Sequence, residues 1–252
     1  MPSEDYYDIA AFPEGYTGYD GREVWQFIHN RICFAGVGYN DDNWKADFNK
    51  AVAGLHTMIS AQVVRGIQER VDSGGSFTDD EVWRDPDAEF QRRIGPTGEN
   101  PQALENLYFS YMLVLSAVSK VKDQLVRDCQ SGKIDASASG ELQSILDDVT
   151  VLNDDSVAIA STKLRNRALN DASGTLWQAR MRSQDLIRIM NCVQCNKCRL
   201  HGKISTMGLS TAFKVIIGDG NDLANLHRVE LATLVATLQK FSTAVDFCQR
   251  KL

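Results

Sequence analysis

Apolar side chains recur along this chain at steps of three and four residues, the spacing that places them on one face of an α-helix. Four such stripes are present. They are Val52, Leu55, Ile59, Val63 and Ile67; Leu104, Leu107, Tyr111, Leu115, Val118, Val121 and Leu125; Leu142, Ile145, Leu146, Val149 and Leu152; and Leu231, Leu234, Val235, Leu238, Phe241, Val245 and Cys248. Sustained alternation of apolar and polar residues, typical of strands, is hard to find. Because each stripe needs another to cover it, the pattern predicts an all-α helical bundle.

Clusters of Gly, Pro and Ser predict loops at 71–77, 94–101 and 130–140. None of these loops has the length or the change of composition expected of a domain linker, and no internal repeat is visible. We therefore expect residues 1–252 to form a single domain.

The charge of the chain excludes some classes of function. A formal net charge of −6 argues against nucleic acid as the main partner, because phosphate binding needs a basic surface. The chain has no basic amphipathic segment of the kind that would indicate a membrane-surface role. The acidic start, "MPSEDYYDIA", has no apolar core of a signal peptide, and the longest charge-free apolar run, 107–119, is shorter than the roughly 20 residues of a membrane span.

Candidate chemistry lies in "RIMNCVQCNKCRLHGK" (188–203). Cys192, Cys195, Cys198 and His201 are four nitrogen and sulfur ligands of the kind that zinc prefers. On a regular helix, however, each three-residue step falls about 60° short of a full turn. Four such positions spread over half the circumference and cannot surround one ion unless the helix breaks, so zinc is the weaker interpretation.

Thiol–disulfide chemistry is the stronger interpretation of this segment. A C-x-x-C disulfide closes too short a loop to stabilise a fold much, and such pairs are more often redox-active. Lys197 and Arg199 flank Cys198 and favour its thiolate, as would a nearby helix N-terminus. If Cys195 pairs with Cys198, the other four cysteines have three ways to pair, and these are Cys33, Cys129, Cys192 and Cys248.

Four segments, in order along the chain, resemble motifs of the endoplasmic reticulum oxidoreductins, the Ero flavoenzymes. They are "PEGYTGYDGREVWQFIHNRICF" (13–34), "AGLHTMIS" (53–60), "ENLYFSYMLVLSAVSKV" (105–121) and "CVQCNKCRLHGKISTMGLSTAFKVI" (192–216). The resemblance covers nearly the whole chain. It implies a helical fold around FAD, with Cys195 and Cys198 as the redox-active pair and Cys192 tied to an upstream cysteine.

The resemblance also implies which residues hold FAD. These are Thr17, Trp25, His56 and Arg93, while Ala53 occupies the position of a flavin-contacting Ser in the family. Taken singly, each has a plainer interpretation: a turn residue, a core tryptophan, a core histidine and a surface charge. Their occurrence together and in order favours the FAD site, since an aromatic face, an Arg and a His suit a dinucleotide.

By this resemblance the chain is a thiol oxidase of the endoplasmic reticulum lumen. A client such as protein disulfide isomerase reduces Cys195–Cys198, and the electrons pass through FAD to dioxygen, which gives hydrogen peroxide. The protein positions the cysteine pair beside the flavin and sets their reduction potentials, and the flavin reacts with dioxygen. One alternative is a zinc-binding helical scaffold built on the Cys192–His201 ligand set; another is a flavin-binding relative that lacks client activity.

The chain departs from the family pattern at several positions. Gly15, and Gln102 or Ala103, stand where the family has arginines, so the pyrophosphate charge is less well covered. His201 replaces a Trp. The family also has a flexible shuttle pair of cysteines before the core, whereas no cysteine here precedes Cys33. We expect that the signal and shuttle segments have been removed, or that another pair, which includes Cys129, has taken over.

Overall fold

A computed structural model describes residues 44–74, 85–131, 166, 175–190 and 196–252. Within these ranges the chain is helical and contains no strand, as the hydrophobic pattern predicts. The helices are α1 (Trp44–Asp72), α2 (Pro86–Arg93), α3 (Ala103–Gln130), α4 (Thr175–Met190), α5 (Asn196–Ile217), α6 (Gly220–Ala224) and α7 (Arg228–Lys251). The all-α prediction is therefore confirmed, while the single-domain interpretation stays a prediction.

Three of the four predicted stripes form the core of the bundle. Those of α1, α3 and α7 turn inward, and most of their apolar side chains are buried. The stripe at 142–152 lies outside the described residues. The loop predicted at 94–101 is a turn region that joins α2 to α3, whereas the loops predicted at 71–77 and 130–140 are described only up to residues 74 and 131.

Helix α2 is set by capping rather than by an apolar stripe, which is why the hydrophobic pattern did not predict it. Asp85 Oδ1 accepts hydrogen bonds from the backbone N–H groups of Asp87 and Ala88, each at 3.0 Å. Pro86 follows at the first helical position, where its missing N–H costs nothing. Acidic residues in the first turn and basic residues in the last complement the helix dipole.

Helices α1, α3, α5 and α7 pack side by side, with α4 against α5 and α2 against α1. Helix α7 runs antiparallel to α5, because Lys240 contacts Ser205 and Glu230 contacts Lys214. This register places Cys198 level with Phe247. Lys251, at the end of α7, donates to Gln68 Oε1 near the end of α1 at 2.7 Å.

The opposite end of the bundle joins the start of α1 to the end of α5. Phe48 packs on Phe213 with a ring-centroid distance of 5.3 Å, and Arg182 of α4 lies 6.0 Å from the ring centroid of Trp44. The start of α5, which contains Cys198, therefore lies beside the C-terminal ends of α1 and α7. No helix in the described part of the chain is long and apolar enough to cross a bilayer.

Two glycines set the closest helix contacts. A methyl group at Gly54 of α1 would overlap Ser110 Oγ and the carbonyl oxygen of Asn106 on α3, and one at Gly208 of α5 would overlap Thr237 Oγ1 on α7. At the first contact Ser110 Oγ donates to the carbonyl oxygen of Ala51 at 3.1 Å. These contacts require residues without a side chain.

We predict that Gly54→Ala lowers the free energy of unfolding by about 1–3 kcal/mol, because the new methyl group forces α1 and α3 apart. The better helix propensity of Ala does not offset this overlap with a backbone carbonyl. Urea unfolding followed by far-ultraviolet circular dichroism measures the change. The matched control is Gly220→Ala at the start of α6, where an added methyl group meets no atom within 4 Å. Equal stability of the two variants would contradict the prediction.

Candidate redox site

Cys198 is the third residue of α5 and lies in its first turn. A helix N-terminus has unpaired backbone N–H groups and a partial positive charge, both of which stabilise a thiolate. The first turn of α5 contains no acidic residue. Cys198 therefore lies at a helix N-terminus, the position that favours a thiolate, while Cys195 lies outside the described residues.

One face of α1 carries two of the predicted FAD-binding residues. Asn49, Ala53, His56 and Ser60 fall within about 60° of one another around the helix axis. Ala53 is half-buried and His56 is exposed, whereas Asn49 and Ser60 are buried. The plainer interpretation of His56 as a core histidine is therefore wrong. Thr17 and Trp25 lie outside the described residues, so their predicted roles stay predictions.

This face of α1 fits a polar ligand. Asn49 is only 4% exposed, yet its Oδ1 atom has no hydrogen-bond partner among the described residues. An unsatisfied buried acceptor costs about 1–3 kcal/mol, so a ligand that brings an N–H or O–H donor would stabilise the site. FAD has such donors on its ribityl chain, its ribose and its ring systems. The chemistry of the face therefore agrees with the predicted cofactor.

Arg93 is not the surface charge that an isolated arginine would be, since its side chain is 6% exposed. Its Nε donates to Glu89 Oε2 at 2.6 Å, and Arg92 Nη2 donates to the same oxygen at 2.9 Å. Burial opposes the ionisation of Glu89, but the hydrogen bonds and charges of the two arginines outweigh it and hold its pKa below the ordinary value. Glu89 thus orients Arg93, whose predicted contact with the FAD pyrophosphate stays a prediction.

A second polar cluster lies between α5 and α7, below Cys198. Lys240 Nζ donates to Ser205 Oγ at 3.2 Å, and Ser205 Oγ donates to the carbonyl oxygen of His201 at 2.9 Å. Burial lowers the pKa of Lys240 to about 8. Burial and then the charge of Lys240 lower the pKa of His201 to about 4, so this imidazole is neutral at pH 7. Sequence reasoning missed Lys240 because it is one polar residue on the flank of an apolar stripe.

Cys248 reduces the number of disulfide pairings that are possible in this chain. It is a free thiol, 3% exposed, and burial raises its pKa to about 12. It therefore cannot take part in any of the three pairings of four cysteines. Cys33, Cys129 and Cys192 remain, which allow one bridge and leave one sulfur over. Cys33 and Cys192 lie outside the described residues, as does the side chain of Cys129.

The zinc hypothesis gains nothing from the structure. Among the described residues no group of three or more His, Cys, Asp or Glu side chains lies close enough to hold a metal ion. Of its four proposed ligands, Cys192 and Cys195 lie outside the described ranges. The lowered pKa of His201 follows from burial and from Lys240.

Comparison with known proteins gives a consistent picture. The family model of Endoplasmic Reticulum Oxidoreductin 1 (ERO1) matches residues 2–248. ERO1-like protein alpha of Xenopus tropicalis is 28% identical and is matched over 97% of this chain and 59% of its own length. Endoplasmic oxidoreductin-1 of Saccharomyces cerevisiae is 29% identical over 93% of this chain and 40% of its own length. This chain thus spans about half the length of these curated relatives.

Solved structures agree on the fold. The "Structure of Ero1p, Source of Disulfide Bonds for Oxidative Protein Folding in the Cell" aligns with a TM-score of 0.65 over 97% of this chain and 66% of that one. At 24% identity this likeness supports the helical architecture and nothing further.

We predict that Glu89→Gln lowers the free energy of unfolding at pH 7 by about 3 kcal/mol, because the variant removes the carboxylate that Arg93 contacts at 2.6 Å in a buried ion pair. The folded pKa of Glu89 is depressed, so its stabilisation is present above the unfolded value of about 4.3 and is lost as pH falls through the lower folded value. The difference between wild type and variant should therefore shrink from pH 7 towards pH 3. Urea unfolding at several pH values measures it.

The matched control for this prediction is Glu99→Gln. Glu99 also pairs with Arg92, at 2.9 Å, but its side chain is 66% exposed. An exposed pair contributes at most about 1 kcal/mol. A Glu89 variant that costs no more than the Glu99 variant, or a cost that does not vary with pH, would show that the buried pair is not the cause.

Proposed function

The chain belongs to the endoplasmic reticulum oxidoreductin family, and on this premise we propose that it is an FAD-dependent thiol oxidase that forms disulfides in protein clients. The observation that carries the proposal is the position of Cys198 in the first turn of α5, within a C-x-x-C motif. The fit of the α1 face to a donor-bearing ligand supports FAD as the cofactor.

In the proposed reaction a client dithiol becomes a disulfide and the Cys195–Cys198 disulfide becomes a dithiol. A client thiolate attacks the sulfur of Cys195, and Cys198 leaves as a thiolate. The second client thiolate then displaces Cys195, so that two electrons and two protons have moved to this chain. The N-terminus of α5 and the adjacent Lys197 and Arg199 stabilise the leaving Cys198 thiolate, and a leaving thiol of lower pKa departs faster.

FAD, if bound, would supply the two-electron chemistry that connects the dithiol to dioxygen, with hydrogen peroxide as the product. The role of the chain is to hold the cofactor beside Cys198. We assign this role to Thr17, Trp25, Ala53, His56 and Arg93. Trp25 would provide an aromatic face, and Arg93 and His56 would provide charge-assisted donors for phosphate oxygens. The small side chain of Ala53 leaves room beside His56 on the α1 face.

The proposed client is protein disulfide isomerase or a similar thioredoxin-fold protein in the endoplasmic reticulum lumen. Relatives of this chain are named for that compartment, and one solved relative is described as a source of disulfide bonds in oxidative folding. Such a client has a reduction potential of about −180 mV, so the dithiol and cofactor must be at least comparably oxidising. Electrons would reach Cys195–Cys198 directly or through a shuttle pair.

Two alternatives give different results in the same assays. The family comparisons do not support the zinc-binding scaffold, which would be colourless and contain stoichiometric zinc. A flavin-binding relative without client activity would be yellow, would oxidise small thiols slowly and would leave protein clients reduced. The residues that stand in place of the family arginines, Gly15 and Gln102 or Ala103, favour it as the second candidate.

We predict that the purified protein has a visible flavin spectrum that bleaches with anaerobic dithiothreitol and recovers in air. Cys195→Ala should keep the bound flavin but reduce client-dependent oxygen consumption to background, because it removes the sulfur that receives the client. An oxygen electrode with reduced protein disulfide isomerase measures this. Cys248→Ala is the control, since this buried thiol takes no part in the exchange. A colourless protein with bound zinc would overturn the proposal.

A further inference from the structure

Lys240 is a half-buried cation for which the described residues provide no carboxylate. Its ammonium group contacts Ser205 Oγ at 3.2 Å, and Ser205 is fully buried. Lys214, in contrast, has a carboxylate partner on the same pair of helices: its Nζ lies 2.9 Å from Glu230 Oε1. A buried ammonium group without a counter-charge is costly, and the lowered pKa of Lys240 reflects that cost.

His201 adds a second polar atom to the same place. Its Nε2 is buried and has no hydrogen-bond partner among the described residues. Because burial and the charge of Lys240 keep the imidazole neutral, Nε2 can carry a proton and act as a hydrogen-bond donor without adding a charge. Lys240 has two further N–H donors besides the one directed at Ser205. The cluster therefore offers several donors, one positive charge and no carboxylate acceptor.

The register of α5 places this cluster on the face that carries Cys198. At about 100° per residue, Cys198 and Ser205 lie within about 20° of each other around the axis, and His201 lies within about 60° of both. Cys198 and Ser205 are about 10 Å apart along the helix. His201 therefore lies about one turn beyond Cys198 along α5, and Lys240 contacts α5 about two turns beyond Cys198, at Ser205.

We propose that His201 and Lys240 form a subsite for an anionic oxygen of the ligand bound beside Cys198. The inference rests on the proposed function and names two further residues that hold its cofactor. Two kinds of oxygen in FAD have the required chemistry: the oxygens of its phosphates, and the isoalloxazine carbonyl oxygen that gains negative charge when the flavin is reduced. Both would accept hydrogen bonds from the two side chains and neutralise the Lys240 charge.

Other charged groups on the helices packed against α7 do not take over this role. On α1, Asp47 is buried but lies near Phe48 at the opposite end of the bundle, and His56 is exposed. On α5, Lys214 is paired with Glu230. The charged side chains of α3 are exposed or half-exposed, namely Glu105, Lys120, Lys122, Asp123, Arg127 and Asp128. His201 is the group whose pKa responds to the charge of Lys240.

The test uses the FAD-loaded protein and measures the rate of FAD release by fluorescence and the reduction potential of the bound flavin. Lys240→Met should release FAD at least tenfold faster if the subsite holds a phosphate, with an unchanged potential. If it holds the ring oxygen, the potential should fall by about 30 mV for each tenfold loss of affinity for the reduced form. Lys240→Arg should restore the wild-type value in either case.

The pH dependence gives an independent readout. The protonated form of Lys240 binds the anion, so the affinity of the wild type for FAD should fall as pH rises above about 8, the pKa of Lys240 without ligand. This fall should be absent in Lys240→Met and should move to higher pH in Lys240→Arg. If Lys240→Met does not fold, His201→Phe removes one donor without changing α7, and it should release FAD at least threefold faster.

The matched control is Arg250→Met, which removes one positive charge from an exposed position of α7 and should leave both measurements unchanged. FAD release and potential that stay within twofold and a few millivolts of wild type in a folded Lys240→Met variant would overturn this inference alone. A wild-type protein that binds no flavin would overturn the proposed function as well. The two failures are therefore distinguishable.

Discussion

The close contact between α5 and α7 is the constraint on which the candidate site depends. Gly208 brings the two helices together at Thr237, with no room for a side chain between them. This contact fixes the antiparallel register that places Ser205 against Lys240 and Lys214 against Glu230. The same register sets the first turn of α5, with Cys198, at the end of the bundle where α1 and α7 terminate. If α7 shifted along α5, Lys240 would lose its contact with Ser205 and would lie at a different level relative to Cys198.

The hydrophobic pattern predicted the helices whose cores are built from large side chains. The Leu, Val and Ile residues of α1, α3 and α7 form continuous stripes, and these helices lie close to their predicted positions. Helix α4 and the first half of α5 were not predicted, because small and polar residues fill many of their contacts. The buried face of α4 includes Ala179 and Ser183, and that of the first half of α5 includes Ser205 and Thr206. The second half of α5 has a buried apolar stripe of Leu209, Phe213 and Ile216, which was not among the predicted stripes.

The candidate site was predictable only in part, and for a physical reason. The C-x-x-C motif and the order of motifs along the chain led to the redox pair, Cys195 and Cys198, and to the FAD-binding set, and these assignments stay predictions. Contacts between distant helices could not be predicted: Lys240 and Ser205 are 35 residues apart, and the unsatisfied Asn49 Oδ1 depends on burial. The state of Cys248 likewise follows from its place in the core, since an apolar stripe predicts burial but not the absence of a disulfide partner.

Charge balance connects these observations. By the family resemblance, Gly15 and Gln102 or Ala103 stand where arginines are expected, so fewer cations would be available for the pyrophosphate of the proposed cofactor. The charge of Arg93 is largely matched by Glu89 at 2.6 Å. Lys240 is a half-buried cation without a carboxylate among the described residues, and it contacts Ser205 of α5. A negatively charged cofactor held there would recover the cost of burying Lys240, whereas an empty site would retain it. The cost of burying Lys240 thus couples cofactor binding to the stability of the α5–α7 contact.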